Sequence, residues 1–194
     1  MFGLYIVSFA LGIVVSTIIL HSYKGNNLFV SILCGLSYLL VTYKYKLSLY
    51  TIEYLILLTI MWIIALKDIK EMIIPDICVV LILANKIVFS FIGLNYKQEL
   101  ITGIINGLSI GCIILLLSII TSKILGKPAM GGGDIKLIFA LGTYVNIYKS
   151  FISILIGSSI ALIYVLLKKE KNEFPFGPFI CIGYYLVFVI KYFL

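Results

Sequence analysis

Arginine is absent from this chain of 194 residues; its fifteen strongly basic side chains are all lysines. Without guanidinium forks to read phosphates or base edges, the net charge of +7 does not point to nucleic acid as a partner. Charge of either sign is scarce, at 12% of residues against roughly a quarter in soluble domains. Paired cysteines are missing as well. Cys34, Cys78, Cys112 and Cys181 stand singly inside apolar runs, so they read as packing residues, and no metal is expected. There is no cofactor motif, internal repeat, low-complexity tract or soluble domain. The longest polar stretch, LysLysGluLysAsnGlu at 168–173, is a loop. The apolar N-terminus, 2–20, lacks a basic n-region and a small-residue cleavage site, so it is expected to be a retained span.

Hydrocarbon fills the space those absences leave. The chain is 62% hydrophobic, with a mean hydropathy of +1.19. A spanning helix needs about 20 apolar residues, and such runs recur along the whole length. They predict a single membrane-embedded domain, 1–194: an all-α, polytopic bundle of about eight transmembrane helices in a lipid bilayer. Continuous rather than alternating runs argue against a barrel. The spans fall at 2–20, 28–43, 47–66, 77–94, 100–121, 135–148, 150–167 and 177–193. The sixth is short, parted from the seventh only by Tyr148, Lys149 and Ser150, so a single kinked helix is an alternative there.

Lysine placement orients the bundle, because the side richer in Lys is normally cytoplasmic. An external N-terminus puts nine inside, namely Lys24, Lys67, Lys70, Lys123, Lys127, Lys136, Lys168, Lys169 and Lys171. It leaves five outside: Lys44, Lys46, Lys97, Lys149 and Lys191. Lys86, beside Asn85 within the fourth span, either snorkels or lines a polar interior.

Two acids have no ordinary loop explanation. Asp68 follows the third apolar run in ALKDIKEMIIPD (65–76), and Asp134 follows three glycines in AMGGGDIKLIFALG (129–142). Two spans separate them, and an even number of crossings returns the chain to the side it left, so both carboxylates belong to one membrane face. A close carboxyl pair shares one proton near neutral pH; one member activates a water while the other donates to the carbonyl oxygen, which hydrolyses a peptide bond without metal. The plainer alternative is a pair of interfacial acids neutralised by Lys67, Lys70 or Lys136. Gly131, Gly132 and Gly133 favour the first reading, because glycine permits positive φ and close backbone approach of an extended substrate. Lys136 could hold a substrate carboxylate or set topology. Glu53 and Lys86 are embedded ionisable groups, but their positions toward the middle or outer half of their spans make them weaker candidates.

At these residues the chain resembles the bacterial type IV prepilin peptidases, of the GxGD class of membrane aspartyl proteases. GlyGlyGlyAspIleLysLeu, 131–137, is similar to the family's GxGDxKL signature, and AspIleLysGluMetIleIleProAsp, 68–76, to its first-aspartate motif. ProPheGlyProPhe, 175–179, resembles its segment before the last helix, and GIVVSTIILHSY from Gly12 resembles its first span. The resemblance implies the GxGD protease fold, catalytic roles for Asp68 and Asp134, and an active-site loop shaped by Gly131 and Gly133. It implies a prepilin or pseudopilin precursor as substrate, losing a short basic leader at the cytoplasmic face of the inner membrane, after a glycine and just before a hydrophobic helix. In the family's common long form a zinc-binding domain with CxxC pairs follows the first span; here only residues 21–27 stand there, and Ser31 replaces the glutamate of the second span. The chain is thus closer to short, peptidase-only forms, and methylation of the new N-terminus is not part of the expectation. A helix N-terminus favours charge on Asp134 and a helix C-terminus disfavours it on Asp68, which makes Asp134 the expected base and Asp68 the proton holder. The rival class is a transporter or channel whose intramembrane acids bind cations or amines.

Overall fold

The computed structural model describes residues 2–22, 28–93, 96–168 and 174–190, and among these no strand occurs. Eight helices follow one another: α1 (Phe2–Ser22), α2 (Leu28–Tyr45), α3 (Leu49–Glu71), α4 (Asp76–Ile92), α5 (Tyr96–Leu125), α6 (Gly132–Gly142), α7 (Ile147–Lys168) and α8 (Gly177–Val189). Five of them, α1, α2, α3, α5 and α7, are long and apolar enough to cross a membrane, which makes the chain a multi-pass protein. Lys24, Lys169, Lys171 and Lys191, used above for orientation, lie outside the described residues, as does most of the 168–173 loop.

The sixth and seventh spans are separate helices, but their boundary is not at Tyr148–Ser150. α6 starts at Gly132 and ends at Gly142, where the Thr143 hydroxyl donates to Ala140 O, and α7 begins at Ile147. Asn146 accepts the Lys149 N–H through its side chain at 2.9 Å, which caps the incoming helix. Hydropathy does not register a cap of this kind, since the apolar run continues through it.

α6 is the centre of the bundle although it is the shortest helix. Leu137, Ile138, Ala140 and Leu141 are buried in a core with Leu57, Ile64, Ile82, Ile110, Ile180 and Tyr184 from α3, α4, α5 and α8. Glycines bring backbones together around it. Gly103, Gly107 and Gly111 lie four residues apart on α5, and a Cβ on any of them would press on Phe139 or Thr143 of α6, as close as 2.7 Å. Gly157 of α7 and Gly183 of α8 do the same for that pair, where a Cβ would stand 2.5 Å or less from Phe179 O or Ser153 O. α1 is peripheral and packs chiefly on α2, with Gly12 against Gly35 and a 2.8 Å hydrogen bond from Ser16 Oγ to Ser31 Oγ. Cys34, Cys78 and Cys181 are buried as expected of packing residues, whereas Cys112 on α5 is exposed.

Candidate active site

α3 does not stop where its apolar run ends. Its last turn reaches Glu71 and carries Asp68 on the inner face, only 4% exposed. Met72 then closes the helix in the left-handed conformation, φ 54° and ψ 33°, with its N–H on Asp68 O at 2.9 Å. A non-glycine residue costs roughly 1–2 kcal/mol there, so the backbone beside the acid is strained. Pro75 follows and opens α4, accepting the Cys78 N–H.

Asp134 arrives from the other side of the chain. Gly131 is the N-cap of α6, with φ −66° and ψ 141°, so Gly132 and Gly133 occupy its first two positions and Asp134 the third. From there its carboxylate reaches back to the Gly131 N–H, as the third residue of a capping box does. The triple glycine is not used for positive φ; among the described glycines only Gly126 has it. Close approach is what two of the three supply. A Cβ on Gly133 would lie 3.1 Å from Ile74 Cβ, and one on Gly131 3.1 Å from Asp134 Oδ2, whereas Gly132 faces open space.

Both aspartates line one cavity of about 830 Å³. The α5–α6 connection, with Lys127, Pro128 and Gly131, forms one rim; Phe174, Pro175 and Phe176 form another; Ile114, Ile138 and Ile154 lie at its apolar end. The ProPheGlyProPhe segment touches the chemistry directly, because Gly177 N–H donates to Asp68 Oδ2 at 2.8 Å. A side chain at position 177 would put its Cβ 2.8 Å from that same oxygen. Short apolar sequence gives no signal of a backbone donor aimed at a carboxylate 109 positions away, so this contact could not be read beforehand.

Asp134 lies ahead of the apolar part of α6, outside the five spanning helices. Burial, and then the charge of Asp68, push its pKa up to about 7, with the Gly131 N–H opposing. Asp68 meanwhile has a backbone N–H donating to its carboxylate. Both facts favour the proton on Asp134 and the charge on Asp68, the reverse of the helix-terminus argument.

The other expected residues lie elsewhere. Lys136 does not line the cavity; its Nζ pairs with Asp76 Oδ1 at 2.8 Å, both groups exposed. Lys86 turns inward to Glu53, Nζ to Oε1 3.3 Å, in a largely buried ion pair at the opposite end of α3. Asn85 Nδ2 donates there to Glu53 O and to the Tyr144 hydroxyl, which donates to Ile82 O. These groups border a separate cavity of about 270 Å³. The polar interior expected for Lys86 therefore exists, remote from the aspartates.

Two carboxylates from two helices of a membrane bundle, sharing one cavity, define a multi-pass membrane protein with a di-acid site. Residues 55–166 match the type IV leader peptidase family, and with both aspartates inside a match that covers more than half of its length, the chain belongs to that family. It is 26% identical over 162 residues to a prepilin leader peptidase/N-methyltransferase of Neisseria gonorrhoeae, covering 82% of this chain and 56% of that protein. Proteins of the same name from Pseudomonas putida (28% over 161 residues, 77% of this chain and 54% of the relative) and Pectobacterium carotovorum subsp. carotovorum (31% over 140 residues, 66% and 48%) are also similar. The chain spans about half the length of the curated relatives it matches. No solved structure matches it.

Proposed function

We propose that this protein is an aspartyl endopeptidase of the inner membrane that removes the short basic leader of type IV prepilin or pseudopilin-like precursors at the cytoplasmic face, cutting after a glycine. The observation that carries the reading is the meeting of Asp68 and Asp134 in one cavity. Asp68, ionised under the Gly177 N–H, takes a proton from water; the water oxygen attacks the scissile carbonyl carbon; Asp134 gives its proton to the carbonyl oxygen. As the tetrahedral intermediate collapses the C–N bond breaks, the proton on Asp68 passes to the leaving amine, and Asp134 takes back a proton from the gem-diol hydroxyl, which restores the starting pair. Kinship with the relatives' peptidase activity supports this. Methyl transfer is not part of the proposal: Ser31, in place of the family's second-span glutamate, accepts a hydrogen bond from the Ser16 hydroxyl.

The test is co-expression with a candidate precursor. Asp68→Asn and Asp134→Asn should each lower leader removal by at least about a hundredfold, the scale of general acid–base catalysis. Unchanged processing in both variants would end the reading.

A further inference from the structure

α5 has fully buried residues along only half of its length. Its N-terminal half is pinned to α6 through Gly103, Gly107 and Gly111. From Cys112 to Leu125 none of its residues is buried. That half borders the active-site cavity, which is lined by both Leu125 and Ile114. Eleven residues at a rise of 1.5 Å put those two points about 16 Å apart along the helix, well inside the hydrocarbon region. Across the cavity stand Ile154 and Ser158, one turn apart on α7. α7 turns another face to α8, where Gly157 meets Phe179 and Ser153 meets Gly183. Ser158 lines the cavity and is exposed.

We infer that the gap between the C-terminal half of α5 and the 154–158 turn of α7 is a lateral portal, and that the apolar helix following the scissile bond of the substrate enters and sits there. This rests on the peptidase reading above. The occupant follows from the lining and its continuity with the dyad. Ile114 and Ile154 wall the cavity that holds both aspartates, and α5 beside it has no buried residue from Cys112 to Leu125. An apolar helix can fill the gap without leaving lipid, whereas the leader stays at the aqueous rim near Pro128 and Ala129. Lys127 at that rim disfavours a leader lysine beside it, so the basic part of the leader lies beyond the cavity mouth.

The experiment uses full-length enzyme in membranes, inactivated by Asp134→Asn to retain substrate. The probe is a designed precursor with a lysine-bearing leader, a glycine and a twenty-residue apolar helix. p-Benzoylphenylalanine replaces Ser158 or Ile114 in the portal, and Val80 of α4 or Val14 of α1 on other lipid-facing surfaces. Photoadducts at Ser158 and Ile114, with none at Val80 or Val14, are expected. In active enzyme Ser158→Trp should raise KM for this precursor about tenfold with kcat little changed, the mark of lost binding rather than lost chemistry. Absence of adducts at Ser158, or equal yields at Val80, overturns the portal. If cleavage survives Asp68→Asn and Asp134→Asn, the peptidase reading fails whatever the adducts; if cleavage needs both aspartates but adducts form only on α1 or α4, the portal alone fails.

Discussion

At the scale of single residues, the site depends on where one proton rests. Because its pKa is raised to about 7, folded Asp134 holds a proton that the unfolded chain has lost from about pH 4 upward. The native state therefore binds more protons than the unfolded one between about pH 4 and 7, and by linkage its stability falls as pH rises through that window. The proposed mechanism uses the protonated form, so under it the pH–rate profile should descend through about 7. Infrared difference spectra should follow a protonated carboxyl band over the same range, and Asp68→Asn, which removes the adjacent charge, should move its midpoint to lower pH. A band that keeps its midpoint in Asp68→Asn, or vanishes in that variant, would put the proton elsewhere. Glycine substitutions separate steric demand from mere motif membership. Gly132→Ala meets open space and should leave folding and cleavage intact, with a gain of up to about 1 kcal/mol from helix propensity. Gly177→Ala forces Asp68 off its N–H donor, a charge-assisted bond of about 1.5–3 kcal/mol, and should cost roughly ten- to a hundredfold in kcat with the fold retained. Equal tolerance of both changes, measured as leader removal and detergent melting temperature, would remove the role given to Gly177.

At the scale of helices, α6 is short, central and fixed from both flanks by neighbours whose glycines allow contact at backbone distance. A Cβ at Gly107 would lie 2.7 Å from Thr143 Cγ2 and 2.8 Å from Phe139 O, atoms of a helix that has nowhere to retreat. Gly107→Leu should therefore destabilise the bundle by several kcal/mol, of the size seen for overpacked cores, and displace Asp134 through α6. Cys112→Leu, five residues on and exposed, is the matched control and should change the melting temperature little. Parity between the two would mean that α5 is not anchored by its stripe. Hydropathy revealed that eight apolar segments exist and that two of them separate Asp68 from Asp134, because each of those is a property of runs and counts. It did not reveal which helices are central, since lipid-facing and buried faces are equally apolar in a bilayer. It misplaced the end of α6 because Thr143 and Asn146 terminate helices by local hydrogen bonds inside an unbroken apolar run. The Gly103, Gly107, Gly111 spacing was the legible clue to the α5–α6 seam, and it needed a packing question rather than a motif question to be noticed.

At the scale of the whole molecule, the three helices too short for the spanning set are α4, α6 and α8, of 17, 11 and 13 residues. At 1.5 Å per residue they measure about 26, 17 and 20 Å, against a hydrocarbon core of about 30 Å. α6 needs no full span, because its two ends meet polar cavities: Asp134 borders one and Thr143 the other. The long helices α3 and α5 flank this thinned centre and carry the chain from face to face. The path from Asp68 down α4 and back up α5 must then return Lys127 to the side of Lys70, while Lys46 and Tyr148 belong to the opposite side. Among described residues the first face carries Lys67, Lys70, Lys123, Lys127, Lys136 and Lys168, and the second Lys44, Lys46, Lys97 and Lys149, an excess that supports the proposed cytoplasmic placement of the dyad. Single cysteines at these four positions, in a chain whose four native cysteines are replaced by alanine, provide the check with a membrane-impermeant thiol reagent. Cys in place of Lys46 or Tyr148 should label in intact cells, and Cys in place of Lys70 or Lys127 only after permeabilisation. Reversal of all four would invert the protein while keeping its dyad. Labelling of positions 70 and 127 from opposite sides would instead mean that α4 or α5 does not cross, and with that the shared face on which the two carboxylates depend would be lost.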